Sequence, residues 1–413
     1  MIYVGGLPFE SNSSQGNDIL GALMGHPALE SASISFRTVP VKNFSRFEVS
    51  DLDRSCKGKH VYVFQREYAT VDPALVDLIG TDEMTTCVGI VIRNRENGMI
   101  SVAHIDSPDV VDIGLSQMLS QVVVSKTDAD LDVHVIGGFE DAPLKHCSHS
   151  TGYECHTELD GYSFPLCAKI VEALEKSGEK FHIQTFFVLG HNTKRDSNGK
   201  TYPIFGGFLV ETSTGLIIPA SFDNTTRCPD ELVRRIRLFA SSGDSHWRSK
   251  LLETYNTQTH EFVIAPCCWN LQLVRTASAL LKLPDSEVLC NCSTSPSAEN
   301  PDFVDNRRRV WDYLIQHPNW KETFQNGQPR IFKRTMRGGW ITKVANLALQ
   351  KDHRNNLTAT VSSSPLSSVD SIVIHALGTD SFWGGLLPVL SVFPLKFQYV
   401  EIQAIYAQRT DRT

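Results

Sequence analysis

Val88, Ile90 and Ile92 place apolar side chains at every second position, and Ile100 and Val102 repeat the pattern after a polar interruption. A period of two is that of a β-strand, so residues 88–93 and 99–106 are predicted as two strands. Between them Asn97-Gly98 tolerates positive φ and marks a reversal, which makes the pair a hairpin. Asn94, Arg95, Glu96 and Asn97 are all poor strand formers. That favours a longer loop centred between Arg95 and Glu96 over a two-residue turn at Asn97-Gly98.

Further short alternating or apolar runs predict strands over 60–65, 132–136, 182–189, 204–210, 216–219 and 261–265. Helical spacing appears elsewhere. Ser107-Pro108-Asp109 supplies a cap, a first-turn proline and an acid, and Val110, Ile113, Met118, Leu119 and Val122 form the buried stripe of a helix. Residues 164–176 and 229–239 read as amphipathic helices, and Asn300-Pro301-Asp302 opens another that ends at His317-Pro318. Strands fall in antiparallel pairs interrupted by helices, without a regular βαβ alternation. The expected fold class is therefore α/β, a layered sandwich with a mixed or antiparallel sheet and flanking helices.

The chain divides by pattern into three parts. Residues 1–60 read as a helical extension packed on the core, with short helices over 17–24 and 27–33. Residues 61–345 form the main domain. Residues 346–413 depart from everything before them: 362–371 is rich in serine and proline, and the apolar run 382–395 is broken by Gly384, Gly385, Pro388 and Pro394. That run is too short and too interrupted to cross a bilayer. The tail is expected to be poorly ordered, and nothing in it points to a role.

At 413 residues, 41% hydrophobic and 21% charged, the composition is that of a globular protein with a sizeable core. A net charge of −7 argues against general nucleic-acid binding. The first residues, Met-Ile-Tyr-Val-Gly-Gly, lack the basic and apolar regions of a secretory signal. Ten cysteines are too dilute for a disulfide scaffold. A reducing compartment, cytoplasm or nucleus, is expected, with no membrane association and a monomeric chain.

Candidate chemistry sits at the two ends of the hairpin. His104 follows Cys87 by 17 positions. A loop centred between Arg95 and Glu96 makes them a directly opposed cross-strand pair, with Cβ atoms roughly 5 Å apart. A turn at Asn97-Gly98 would instead set Cys87 opposite Pro108 and leave His104 about 13 Å away. A thiol opposed to an imidazole is a nucleophile with its base, the imidazolium lowering the thiol pKa. Thr81, Asp82, Thr85 and Thr86 crowd hydroxyls and amides just before Cys87, which suits an oxyanion site and a group to orient the histidine. The segment 146–156 holds His146, Cys147, His149, Cys155 and His156, but its spacing matches no paired zinc finger. A polar surface loop is the expectation there, and no metal or cofactor is called for.

The string Gly80-Thr-Asp-Glu-Met-Thr-Thr-Cys87, with its histidine 17 residues on, resembles the active-site hairpin of the cysteine deamidases, which include the bacterial chemoreceptor glutamine deamidase. Thr81 occupies the place where that group carries Thr or Ser, six positions before the cysteine. Tyr62-Val-Phe-Gln-Arg-Glu67, His134-Val-Ile-Gly-Gly-Phe139, Pro219-Ala-Ser-Phe222 and above all Ser293-Thr-Ser-Pro-Ser-Ala-Glu-Asn-Pro-Asp-Phe-Val304 resemble the protein N-terminal asparagine amidohydrolases. The similarity runs in patches from about Val61 to Trp340.

The resemblance implies a chemoreceptor-deamidase-like core at 61–345 that deamidates N-terminal asparagine of proteins or peptides to aspartate through a Cys87 thioester, releasing ammonia. His104 would be its acid and base, and Thr81 would hold the imidazole. The product would feed arginylation and ubiquitin-dependent turnover in the N-degron pathway. Recognition of a free α-ammonium calls for a carboxylate, with Glu67, Asp82 and Asp106 the candidates; Thr86 and Ser293 would line the same cleft. Two other readings fit the same hairpin: a glutamine deamidase or other cysteine acyltransferase, and a catalytically inert module that binds N-termini.

Overall fold

The structure, a computed structural model, describes residues 1–10, 13–45, 59–123, 129–142, 161–242, 247, 249–335 and 338–343. An eight-stranded mixed sheet runs through the middle. Its order is Leu252–Glu253, Glu67–Val71, Ile100–Ile105, Val88–Asn94, Asp130–Gly137, Lys180–Val188, Ile2–Val4 and Leu7–Pro8. A five-stranded sheet packs on one face, in the order Lys42–Phe44, Ile217–Phe222, Phe208–Glu211, Leu78–Thr81, His60–Tyr62.

The strand Val88–Asn94 shows how the layers form. Val88, Ile90 and Ile92 point to one core, shared with Leu115 and Met118 of the helix Val111–Val122 and with Leu166, Ile170 and Leu174 of the helix Ser163–Lys176. Cys87 and Val91 point to the other core, shared with Ile79, Phe208 and Val210 of the second sheet. Both faces of the central strands are covered, so they are apolar on both sides. The result is the expected α/β layered sandwich: helices, mixed sheet, second sheet.

The first residues carry more than the two expected helices, which run Gly16–Met24 and Pro27–Arg37. Ile2–Val4 pairs in parallel with the strand Lys180–Val188, and Lys42–Phe44 pairs with Ile217–Phe222. The strand expected over 204–210 is confined to Phe208–Glu211. Ahead of it the amides of Ile204 and Phe205 are taken by Asn192, which accepts them at 2.8 Å (carbonyl) and 2.9 Å (Oδ1).

A group of helices, Glu231–Ser242, Leu271–Leu280, Asp285–Cys292 and Phe303–Gln316, borders the open end of the hairpin. A four-stranded sheet from Tyr255–Asn256, Glu261–Ile264, Arg330–Arg334 and Trp340–Thr342 lies beside them in sequence and shares their core.

Candidate active site

The chain crosses from the second sheet to the first over residues 82–87. Thr81 ends the strand Leu78–Thr81, paired with Phe208. Glu83 takes a positive φ of 61°, and the Met84 amide is tied to the Gly206 carbonyl at 2.8 Å. Cys87 then leads into the strand Val88–Asn94, its own carbonyl accepting from Gly138 at 2.8 Å.

The hairpin register differs from the expected one by two residues. Val88 pairs with Ile105 and Gly89 with His104, so the loop is centred between Glu96 and Asn97, not between Arg95 and Glu96. Asn94 stays in the ladder through its amide, 3.0 Å from the Met99 carbonyl, while its side chain accepts from the Glu96 amide at 2.8 Å. Gly98 closes the loop at φ 72°. A slip of two preserves the face of every side chain. Cys87 and His104 are therefore diagonal neighbours on the second-sheet face, with Cβ atoms about 7 Å apart or somewhat less. Gly89 sits directly across from the imidazole, where a Cβ would lie 2.3 Å from Cε1 of Phe208. Only glycine lets the second sheet approach this closely.

Cys87 and His104 line one cleft of about 640 Å³. His104 is 1% exposed. Its Nδ1 lies 2.8 Å from Thr81 Oγ1, and its Nε2 has no partner among the described residues. Burial pushes the imidazole pKa down to about 4, against the opposing pull of Asp106, Glu83 and Glu67. Burial also lifts the Cys87 thiol well above its usual range; Asp106 and Glu299 lift it further and Arg66 opposes them. Both shifts oppose the expected imidazolium–thiolate pair and favour a neutral thiol beside a neutral imidazole, because burial penalises each charged form.

Thr86, Asp106 and Ser293 line the same cleft. Thr86 Oγ1 is 3.1 Å from Thr294 Oγ1. Asp106 is paired with Arg66 Nε at 3.0 Å and accepts from Gln65 Nε2 at 3.0 Å. Ser293 Oγ donates to Glu299 and accepts from the Ser295 amide at 2.9 Å.

Glu67 and Asp82 are placed otherwise than expected, for neither faces the cleft. Glu67, 1% exposed, receives Arg234 Nη2 at 2.6 Å and Nε at 3.2 Å, the Phe64 amide at 3.1 Å and Thr254 Oγ1 at 3.3 Å. Asp82 receives Arg227 through both oxygens (2.9 and 3.2 Å), Tyr62 Oη at 2.5 Å and the Phe222 amide at 2.7 Å. Both carboxylates are consumed by buried ion pairs: Glu67 ties the eight-stranded sheet to the helix Glu231–Ser242 through Arg234, and Asp82 ties the end of the strand Leu78–Thr81 to Arg227.

The cleft also holds side chains not anticipated: Glu83, Arg66, Glu299 and Arg307. Glu299 falls inside the 293–304 string, but nothing in the spacing singles it out. Among the described residues no group of three or more His, Cys, Asp or Glu side chains could hold a metal ion, and no helix is long and apolar enough to cross a membrane. The 146–156 segment and the tail from 346 onward lie outside the described residues.

A sequence profile described as protein N-terminal asparagine amidohydrolase matches residues 50–342. The chain belongs to that family. Among amidohydrolases of the family, a protein of this name from Arabidopsis thaliana is 55% identical over 348 residues, covering 82% of this chain and 99% of the relative. Those from Mus musculus and Homo sapiens are 28% and 27% identical over 287 residues, covering 68% of this chain and 83% of each relative. The span matched to the amidohydrolases contains Thr81, Cys87, His104, Ser293 and Glu299, so the whole cleft chemistry described above falls within it.

Proposed function

We propose that this protein hydrolyses the side-chain amide of N-terminal asparagine in proteins and peptides, leaving aspartate and releasing ammonia. The observation that carries the reading is Cys87 and His104 at the wall of one cleft, with the Thr81 hydroxyl behind the imidazole, inside the segment shared with the amidohydrolases.

The chemistry starts from the neutral pair. Engagement of the carboxamide brings the thiol proton to His104 Nε2, whose lone pair is free because Nδ1–H donates to Thr81. Sγ attacks the amide carbon as the proton leaves. Among the described residues the main-chain N–H groups of Thr86 and Cys87 meet no acceptor, and they receive the oxyanion. The His104 imidazolium then protonates the departing nitrogen, which leaves as ammonia. Water, giving its proton to His104, cleaves the thioester and restores the thiol. No step needs a cofactor.

The remaining expectations accompany this reading: a monomer in cytoplasm or nucleus, protein substrates that begin with asparagine, no nucleic-acid partner, and a product that enters the N-degron route to ubiquitin-dependent turnover. The test is mass spectrometry of an Asn-first peptide incubated with wild type and with Cys87→Ala. Wild type is expected to add about 1 Da, the mass change of amide-to-acid conversion, and the variant to add nothing. Unchanged peptide with wild type, or conversion by Cys87→Ala, defeats the reading. A Gln-first peptide, one methylene longer, is expected to turn over roughly 10- to 200-fold more slowly.

A further inference from the structure

We propose that Arg307 receives an acidic side chain from the two residues that follow the substrate's first asparagine; this rests on the amidohydrolase reading above and adds a preference for sequence beyond the terminus. The cleft measures about 640 Å³, a size that holds far more than one side chain. With the carboxamide at Cys87, the residues that follow must run away from the hairpin and along the helices that border it.

Four arginines line this cleft: Arg66, Arg234, Arg235 and Arg307. Three are already engaged. Arg66 holds Asp106 at 3.0 Å, Arg234 holds Glu67 at 2.6 Å, and Arg235 holds Glu83 at 2.8 Å and Glu231 at 3.0 Å. The neighbours of Arg307 in the run 307–309 are engaged as well. Arg308 donates to the carbonyls of Leu281 and Leu283, each at 3.0 Å, and Arg309 donates to Glu231 at 2.6 Å. Successive helical positions point about 100° apart, so one residue of such a run faces the cleft while the others turn to neighbouring elements.

Arg307 makes no hydrogen bond or ion pair among the described residues. Its guanidinium lies over the ring of Phe303, one turn earlier on the same helix, at 4.9 Å, and over Phe239 at 5.1 Å. Ring faces attract a cation but leave its five in-plane N–H donors unsatisfied. Burial pulls the Arg307 pKa down, against the opposing pull of Cys292 and Glu299, as befits a sheltered cation without a counter-charge. The charges that bear on the Cys87 thiol are Asp106, Glu299 and Arg66; Arg307 bears on Glu299 and Cys292, a step further from the sulfur. A carboxylate matches the planar fork through two parallel hydrogen bonds, whereas a main-chain carbonyl would leave the charge bare. The two rings hold the fork in place before the carboxylate arrives, which lowers the ordering cost of binding.

The experiment measures kcat/KM on Asn-first peptides carrying Glu, Gln or Lys as the second residue, and on a second series carrying them as the third. The peptides are amidated at the C-terminus, so that the glutamate side chain is their only carboxylate. In one of the two series wild type is expected to favour Glu over Gln about 10- to 100-fold, carried mainly by KM, the worth of a charge-assisted contact. Lys should be disfavoured in the same series. In Arg307→Gln the ratio of Glu to Gln peptide should collapse toward unity, and Arg307→Lys, which keeps the charge without the fork, should retain only part of it. A residue that merely shapes the cleft, or only offsets the charge of Glu299, would change every peptide alike and leave the ratios standing.

Should Arg307→Gln fail to fold, Arg307→Lys carries the test, and an undiminished ratio in that variant overturns the proposal. Equal wild-type turnover of Glu and Gln peptides in both series, or a folded Arg307→Gln that keeps the wild-type ratio, overturns the assignment of Arg307 alone. A wild type inert toward every Asn-first peptide removes the amidohydrolase reading, and this assignment with it.

Discussion

Replacing Thr81 by valine removes one hydroxyl and preserves the shape of the side chain. Thr81 is 0% exposed, and its Oγ1 stands 2.8 Å from His104 Nδ1, the only hydrogen bond the imidazole makes among the described residues. For Nε2 to take a proton from the thiol, the resting proton must sit on Nδ1 and point at Thr81. In Thr81→Val that N–H is buried without an acceptor, which costs about 1–3 kcal/mol. The ring can avoid the cost by moving its proton to Nε2, but then the lone pair that the proposed proton transfer needs is gone. Either route withdraws a similar free energy from the reactive state. At about 1.4 kcal/mol per decade, kcat/KM should fall roughly 10- to 100-fold. Thr81→Ser keeps the oxygen and should recover most of the loss. The assay is ammonia release from an Asn-first peptide, with urea unfolding to confirm that the variants remain folded. A Thr81→Val protein within twofold of wild type, or a Thr81→Ser protein as impaired as Thr81→Val, would refute the idea that this hydroxyl sets the tautomer.

The buried charges set three further expectations. Because burial holds His104 neutral down to about pH 4 and keeps the Cys87 thiol protonated, kcat/KM should hold from neutral pH down to about 4 and fall below it, as the free base takes up a proton. Alkylation of the free protein by iodoacetamide should stay slow through neutral pH and rise only in alkali; a plateau reached by pH 6 would mean that an ion pair forms after all. Glu67→Gln should destabilise the fold by about 3–5 kcal/mol in urea, since it strands Arg234, which is 0% exposed at its side chain. A rise in KM without loss of stability in that variant would return Glu67 to substrate recognition.

The elements of this fold that announce themselves in sequence are those whose pattern is local. The hairpin strands, the helix Val111–Val122 behind its Ser107-Pro108 start, and the helices Ser163–Lys176 and Phe303–Gln316 lie where periodicity and caps place them. The helix over 108–122 opens with a 3-10 turn, Pro108–Val110, and its buried stripe runs through Val111, Leu115, Met118 and Val122, not through the expected Ile113, which is 41% exposed. The helix Leu271–Leu280 also carries local signals, an Asn270 cap on the Leu273 amide and apolar residues at 273, 274, 277, 280 and 281 that face the core, whereas Asp285–Cys292 has Pro284 before two acids but no strong apolar period. The second sheet is harder to see. Its strands are six residues or shorter, and two of its four pairings join segments more than a hundred residues apart.

The same distinction governs the site. Cys87, His104 and Thr81 were legible because a short string and a hairpin hold them together. Their register was not, because Asn94 reads as a loop residue and serves as the last rung of the ladder, its side chain capping the loop it closes. The fates of Glu67 and Asp82 turn on Arg234 and Arg227, each well over a hundred positions away. No local pattern reports which carboxylate will meet an arginine and which will be left to face a cleft.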